Sequence, residues 1–431
     1  MPTMAQNVPH TGPRPEAVPG AYRGALAVVT TLFFMWGFVT VLNDVLVPHL
    51  KSVFDLNYTK VMLIQFAFFS AYFIFSIPSA KIIDWIGYKQ TMVAGLFTMG
   101  LGALLFIPAA SAPSYPLFLG ALMVLAAGIT ALQVAANPYV AVLGPPATAS
   151  SRLNLAQAFN SLGTTIAPYL GGLVILSAAS KDADSLRQMS ADALQAYRIQ
   201  EASSVKLPYL IIGLALLVLA LVIGRFRLPA MPTAQHKMGD RSAGSLWKYR
   251  HLVLGTVAIF VYVGAEVSIG SFLVNYFSQP DIANVTAKVA AGFVSYYWGG
   301  AMIGRFLGSA ILQKVRTGTV LGFAALAAAT LVCISMSTTG HAAMWSIIFV
   351  GFFNSVMFPS IFTLGIAELG PLTGDGSGWL IMAIVGGAII PVAQGAIADR
   401  IGIHHAFILP VVCYLYIVFY AFKGSKPVMA S

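Results

Sequence analysis

Long apolar segments, separated by short polar ones, run through almost the whole sequence. Of the 431 residues, 58% are hydrophobic and only 9% are charged, whereas soluble globular chains carry about 25% charged residues. So few charged side chains cannot cover the surface of a water-soluble domain of this size. The bilayer must therefore be the solvent for most of the chain, and the sequence excludes a single soluble core.

Twelve segments are long and apolar enough to form membrane-spanning helices, each of which needs about 20 residues. We predict an all-α membrane protein with helices at 25–50, 59–83, 89–109, 113–143, 152–178, 207–225, 251–278, 286–313, 318–337, 341–367, 374–397 and 403–422. A polar, basic stretch divides them into two groups of six. The predicted units are a disordered tail (1–22), a six-helix half (23–226), a cytoplasmic linker (227–250), a second six-helix half (251–424) and a tail (425–431).

The net charge of +10 is an orientation signal. If the N-terminus is cytoplasmic, most of the 24 basic residues fall in cytoplasmic segments, as the positive-inside rule requires. Both termini are therefore predicted to be cytoplasmic, and no nucleic-acid partner is implied. The polar segment 179–206 becomes an external loop with a short surface helix. The two cysteines lie in apolar runs without metal-ligand spacing, so we expect no metal and no cofactor.

The two halves show weak internal similarity. Three residues of the first half are matched by a like residue 221 positions later, and three more are matched 223 positions later. The first set pairs Gln133, Pro138 and Gly144 with Asn354, Pro359 and Gly365; the second pairs Gly163, Pro168 and Gly172 with Gly386, Pro391 and Gly395. A repeat of two six-helix halves predicts alternating access, in which the halves rock around a site at their interface.

Two carboxylates lie deep within predicted spans, Asp44 and Glu266. Ionisable groups at membrane depth are costly and mark functional sites. Asp44 shares a helix face with Thr40 and Gly37, and Asn43 adjoins it. Burial favours the neutral form of a carboxyl group, so each carboxylate is a candidate proton-binding site. The alternative for both is a structural carboxylate that holds helices together.

Uncharged polar residues form stripes on two other helices. Thr130, Gln133 and Asn137 lie on one helix, and Gln157, Asn160, Ser161 and Thr164 lie on the next; both sets follow the three-and-four spacing of one helix face. Amides both donate and accept hydrogen bonds, which suits a neutral polyhydroxy ligand. The alternative is that these amides hold helices together. The sequence contains no phosphate-binding loop and no HExxH, GxSxG or CxxC motif, so we do not expect an enzyme.

Several motifs resemble a known family. The segment DWIGYK (84–89) resembles the signature of the major facilitator superfamily, and FFMWGFVTVLNDVLVPHLKSVFDLNY (33–58), ALQVAANPYVAVLG (131–144), RLNLAQAFNSLGTTIAP (152–168), GRFLGS (304–309) and FPSIFTLGIAELG (358–370) resemble its fucose:proton symporter family. The resemblance implies the major facilitator fold of twelve helices and sugar–cation symport. It assigns proton coupling to Asp44 and sugar contacts to Asn43, Gln157 and Asn160.

Two departures from the fucose transporters point to a branch of that family. Gln133 stands where they carry a carboxylate, and Glu266 stands where they carry glutamine. Both features resemble the glucose/galactose branch, and they add Glu266 to the coupling residues and Gln133 to the sugar contacts. The further predicted sugar contacts are Asn137, Asn275, Trp298 and Asn354. The resemblance also implies a cytoplasmic latch, formed by Asp84, Gly87, Lys89, Arg152 and Arg305.

These observations predict a proton-driven importer of a neutral hexose, working as a monomer in a bacterial inner membrane. Sodium coupling is one alternative. N-acetylglucosamine, mannose or fucose could replace glucose and galactose as the substrate. A facilitative pore or channel is the alternative outside the carrier class.

Overall fold

The structure, a computed structural model, describes residues 19–54, 58–111, 114–175, 189–203, 205–231 and 246–427. Helices α1–α6 precede residues 232–245, and we call them the N-terminal half. Their bounds are Pro19–Phe54 (α1), Tyr58–Ser111 (α2), Tyr115–Val142 (α3), Ala149–Ile175 (α4), Ala191–Ser203 (α5) and Lys206–Arg225 (α6). The short helix α5 falls in the segment predicted to form a surface helix, and it contacts α1 and α2.

Helices α7–α15 follow residues 232–245 and form what we call the C-terminal half. Their bounds are Arg250–Phe277 (α7), Ala287–Ile311 (α8), Thr317–Ser337 (α9), Gly340–Asn354 (α10), Met357–Gly365 (α11), Thr373–Met382 (α12), Gly386–Ile401 (α13), Ile403–Ala406 (α14) and Ile408–Phe419 (α15). A π-helical turn, Tyr420–Gly424, continues α15. Every predicted span corresponds to one of these helices, to part of one, or to consecutive ones.

Nine helical stretches among the described residues are long and apolar enough to cross a membrane. One of them, Leu63–Ser111, has 49 residues and would be about 74 Å long if straight, against a hydrocarbon core of about 30 Å. It bends at Gly87, whose φ of 79° and ψ of 167° are not helical. Glycine adopts positive φ without the penalty that a Cβ imposes. The stretch therefore crosses twice, as the two predicted spans 59–83 and 89–109 require.

Three predicted spans are each divided into consecutive shorter helices. The span predicted at 341–367 is divided into α10 and α11 around Ser355 and Val356. Pro359 lacks the N–H that would bond the carbonyl of Ser355, so the helix is interrupted there. The span predicted at 374–397 is divided by a 3₁₀ turn, Ala383–Val385, between α12 and α13. The span predicted at 403–422 is divided at Phe407, between α14 and α15. All three interruptions lie in the C-terminal half.

Two glycines of the proposed repeat occupy equivalent close helix crossings. A Cβ on Gly163 of α4 would collide with the carbonyl oxygen of Phe34 on α1, and a Cβ on Gly386 of α13 would collide with that of Phe260 on α7. Small residues let membrane helices pack backbone to backbone in this way. Two positions that are 223 residues apart therefore have the same packing role in the two halves.

The two halves contact each other at one end of the bundle, which we call the closed end. The Ser150 and Thr363 hydroxyls bond at 2.5 Å, and the Ser151 hydroxyl donates to the carbonyl of Ser309 at 2.7 Å. The Ser377 hydroxyl donates to a carbonyl of α3 at 2.8 Å. These links join the start of α4 and the later part of α3 to α8, α11 and α12, and all three are uncharged.

Candidate functional site

Three amides of the N-terminal half form a connected chain, which we call the amide chain. Gln157 Nε2 of α4 donates to Asn137 Oδ1 of α3 at 3.3 Å, and Asn137 Nδ2 donates to the Gln133 carbonyl at 3.0 Å. Gln133 Nε2 in turn donates to the Tyr72 hydroxyl of α2 at 2.8 Å. Asn137 is fully buried, whereas Gln133 and Gln157 each keep 7% of their surface exposed. The amide oxygens of these two glutamines accept no hydrogen bond from the described residues, so they remain available to a ligand.

Asn160 ties α4 to α1. Its Nδ2 donates to the Phe33 carbonyl at 2.9 Å, and its side chain fills the space that a Cβ on Gly37 would need. The residue is only half-buried, so it combines a helix-joining contact with some open surface. Asn43 and Asp44 also belong to α1, but their side chains lie outside what the structure describes.

Glu266 of α7 is the carboxylate that the structure describes at this depth. Its Oε1 is buried and accepts no hydrogen bond from the described residues. The Arg305 guanidinium interacts with the carboxyl group electrostatically, and the Tyr262 side chain is a hydrogen-bonding neighbour of it. The single hydroxyl proton of Tyr262 is donated to the Asn354 carbonyl at 3.0 Å. Arg305 is therefore the neighbour that can neutralise an ionised Glu266.

Arg305 of α8 brings the two halves together beside Glu266. Its Nη1 donates to the Ser161 hydroxyl and to the Gln157 carbonyl, at 3.5 Å. Trp298 precedes Arg305 by seven residues, so it lies on the same face of α8 and about 10 Å away along the axis. Its ring packs against Gly270 and is 43% exposed. One region between α4, α7 and α8 is thus bordered by Gln157, Glu266, Arg305 and Trp298.

Two of the predicted sugar contacts do not reach this region. Asn354 is fully buried; its Nδ2 donates to the Tyr297 hydroxyl and its Oδ1 accepts from the Tyr414 hydroxyl, both at 2.8 Å. Its amide is therefore committed to packing within the C-terminal half. Asn275 is exposed in the last turn of α7, nine residues and about 13 Å along the axis beyond Glu266.

The predicted latch residues lie in two different places. Lys89 donates to the Gly224 carbonyl at 2.7 Å, and Arg152 donates to carbonyls and a hydroxyl at the end of α3 and the start of α4. Asp84 and Asp375 both act electrostatically on Tyr88, so Asp84 lies near the first turn of α12. The guanidinium of Arg305, in contrast, lies beside Ser161 and Glu266. The latch role of Arg305 stays a prediction.

Four tyrosines next to these amides were not predicted to act as hydrogen-bonding residues. Their hydroxyls bond Gln133 or Asn354 from inside apolar spans; they are Tyr72, Tyr262, Tyr297 and Tyr414. All four are buried. A tyrosine in an apolar segment is usually a packing residue or an interfacial anchor. In the sequence, these four tyrosines differ from packing residues and interfacial anchors only in that their hydroxyls lie far from either end of a span.

A groove of about 850 Å³ lies elsewhere, between α2 and α6. Its walls are mostly apolar and include Ile86, Val93, Phe97, Leu217 and Leu221, several of which are exposed. Exposed apolar surface of this kind is expected where membrane helices face lipid. The groove does not border the amide chain or Glu266.

The comparisons with known proteins agree with one another. The family model of the Major Facilitator Superfamily matches residues 26–383. The glucose/galactose transporter of Brucella abortus (strain 2308) is 53% identical over 98% of this chain and 100% of its own length. The L-fucose-proton symporter of Escherichia coli (strain K12) is 38% identical over 92% of each chain.

A solved structure has the same fold. The crystal structure of the Major Facilitator Superfamily transporter FucP, in the outward conformation, matches with a TM-score of 0.88 and 35% identity, covering 95% of this chain and 100% of that one. The all-α, multi-pass architecture is therefore the major facilitator fold. This chain belongs to the Major Facilitator Superfamily and, within it, to the family that contains the glucose/galactose transporters and the fucose–proton symporters.

Proposed function

We propose that the chain is a proton-coupled symporter that imports a neutral hexose of the glucose/galactose type by alternating access. One observation carries the proposal. The uncharged amide chain of the N-terminal half faces a carboxylate and a guanidinium of the C-terminal half, with Arg305 reaching Gln157 and Ser161. The names of the relatives, glucose/galactose transporter and L-fucose-proton symporter, support the substrate class and the coupling ion.

The sugar site is assigned to the amides and an aromatic ring. Gln133 and Gln157 offer free amide oxygens beside the donors of the amide chain, so they can accept hydrogen bonds from sugar hydroxyls. Asn160 extends this wall along α4, and Asn43 of α1 is assigned to the sugar site by the resemblance alone. Trp298 offers an exposed aromatic face, on which the C–H face of a pyranose can pack. Asn137 holds the side of the site that the N-terminal half contributes, and Asn354 holds the side that the C-terminal half contributes. Asn275 has no assigned role at the site.

Proton coupling is assigned to Asp44 and Glu266. A carboxyl group in a low-dielectric cavity is favoured in its neutral form and releases a proton when the cavity opens to water. A membrane potential of 100 mV contributes about 2.3 kcal/mol for each imported charge. One proton for each neutral sugar is therefore enough to drive accumulation.

Alternating access is assigned to two halves, 23–226 and 251–424, joined by the linker 227–250. The closed end, with its hydroxyl and carbonyl contacts around Ser150 and Ser151, is the cytoplasmic end if both termini are cytoplasmic. The state is then outward-facing. One chain contains both walls of the site, which supports a functional monomer. The bacterial relatives support a place in a bacterial inner membrane.

The test is uptake of labelled glucose into proteoliposomes under an imposed pH gradient, without sodium. We expect saturable accumulation above the external concentration, abolished by a protonophore, and counterflow of preloaded sugar. Competition by galactose, fucose, mannose and N-acetylglucosamine ranks the substrates. Accumulation that requires sodium would identify sodium, and not the proton, as the coupling ion. Flux without saturation or counterflow would identify a pore and contradict the proposal.

A further inference from the structure

Helices α2 and α6 lie close together at one point and diverge towards the end of α6. At the close crossing, a Cβ on Gly100 of α2 would lie 3.2 Å from the Gly213 carbonyl oxygen of α6. Near the end of α6, a Cβ on Gly224 would meet no atom within 4 Å. The widening gap between the two helices forms the groove of about 850 Å³.

The walls of this groove are one apolar face of each helix. Val93 and Phe97 line it from α2, and Leu217 and Leu221 line it from α6; both pairs have the spacing of four that places residues on one helix face. From Leu217 to Arg225 the groove extends about 12 Å along α6. One leaflet supplies about 15 Å of the hydrocarbon core, so the groove covers most of the depth of one leaflet.

The wide end of the groove is basic. Arg225, the last residue of α6, is exposed and lines it. Lys89 of α2 reaches across the gap and donates to the Gly224 carbonyl at 2.7 Å, and an ammonium group has two further N–H donors. The exposed amide of Gln90 lines the same end. No carboxylate is among the described residues that line the groove.

We propose that the groove binds one anionic phospholipid, with an acyl chain between α2 and α6 and the phosphate at Arg225 and Lys89. Basic pockets between membrane helices attract anionic headgroups, and guanidinium and ammonium groups form charge-assisted hydrogen bonds with phosphate. The groove closes where Gly100 meets Gly213, so it fits a single chain better than a helix of a second copy, which is about 10 Å wide. This site is independent of sugar transport.

Native mass spectrometry of the full chain in detergent counts the lipids that the protein binds. The delipidated protein is titrated with phosphatidylglycerol and, in a separate series, with phosphatidylcholine of the same acyl chains. Each basic residue near a headgroup favours an anionic lipid about fivefold, so Arg225 and Lys89 together predict a preference of about 25-fold for phosphatidylglycerol. We expect this preference for the first lipid bound.

Two variants separate the headgroup contact from the chain contact. Arg225→Gln should lower the preference for phosphatidylglycerol about fivefold and leave the affinity for phosphatidylcholine unchanged. Gly224→Leu should weaken the binding of both lipids about tenfold, because its side chain enters the groove where a Cβ meets no protein atom within 4 Å. The matched controls are Arg316→Gln, at an exposed arginine before α9, and Gly120→Leu, at another glycine with open space around its Cβ; both should bind lipid as the parent does.

Equal affinity of the parent for the two lipids would overturn the inference, as would an unchanged preference in Arg225→Gln or parental lipid binding by Gly224→Leu. A dimer of the parent that is lost in Gly224→Leu would identify a second copy as the occupant instead. Glycerol phosphate that binds as tightly as the whole lipid would identify a soluble phosphate. If Gly224→Leu fails to fold in thermal melting, Ala94→Leu fills the groove from α2, where Ala94 is a half-buried lining residue.

Discussion

Gln157 on α4 donates a hydrogen bond to Asn137 on α3, with 3.3 Å between Nε2 and Oδ1. This bond joins two polar helix faces into one wall and uses one of the two N–H donors of the Gln157 amide. The amide oxygen of Gln157 remains open to a sugar hydroxyl. The wall is therefore both structural and available for binding.

Gln157→Ala should weaken sugar binding. The change removes the free acceptor and leaves Asn137 Oδ1 without its donor, and an unpaired buried polar group costs about 1–3 kcal/mol. We expect affinity for glucose to fall by a factor of about 10 to 100 in calorimetric titration. Gln90→Ala, at an exposed glutamine of α2, is the control. Unchanged affinity in Gln157→Ala would assign the residue to helix packing alone.

Gln133→Glu should change substrate preference without destroying the fold. The glutamine donates to Tyr72, whereas an ionised carboxylate only accepts, so Tyr72 must turn its hydroxyl proton towards it. Uptake of glucose, galactose and fucose between about pH 5.5 and pH 8 measures the effect. We expect the ratio of the three rates, or its dependence on pH, to shift. Tyr72→Phe separates loss of the tyrosine contact from the new charge. Parental ratios at every pH in Gln133→Glu would exclude Gln133 from the sugar site.

Glu266→Gln should impair sugar transport. The variant keeps the shape of the side chain but cannot bind or release a proton, so uptake driven by a pH gradient should fall by more than about tenfold. Asp281→Asn, at an exposed carboxylate after α7, is the control. If Glu266→Gln transports at the parental rate at every pH, Glu266 is structural and Asp44 is the remaining coupling candidate.

Asn354→Ala should lower stability more than sugar affinity. Its amide bonds the hydroxyls of Tyr297 and Tyr414 in a fully buried position, and alanine leaves both hydroxyls without this partner. We expect the Tm in detergent to fall by about 3–10 °C, while the folded fraction binds glucose with parental affinity. Tyr414→Phe, which removes one of the two bonds, should give a smaller decrease. A large loss of affinity at an unchanged Tm would restore Asn354 as a sugar contact.

The helices and the polar faces were predictable from the sequence because they depend on local periodicity. Spacings of three and four place Gln133 with Asn137 and Gln157 with Ser161, and the structure brings both pairs to one wall. The break at Gly87 was predictable as well, because a polar segment separates two apolar runs there.

The position of Arg305 and the surroundings of Asn354 were not predictable in this way. A motif at the end of a span predicted a latch role for Arg305, but it did not identify Ser161 of the opposite half as its partner. Asn354 takes its partners from α7, α8 and α15, so its role depends on how distant helices pack. Periodicity assigns a residue to a helix face, and only the assembled bundle determines what that face meets.

Proton flux that accompanies sugar entry tests the central claim most directly. Glucose is added to lightly buffered proteoliposomes without sodium, and external pH is recorded for the parent and for Asp44→Asn. We expect sugar-induced alkalinisation of the medium with the parent and none with Asp44→Asn, which should retain counterflow of preloaded glucose. Saturable glucose entry by the parent without any proton movement would contradict proton symport. Alkalinisation that persists in Asp44→Asn would remove Asp44 from the coupling mechanism.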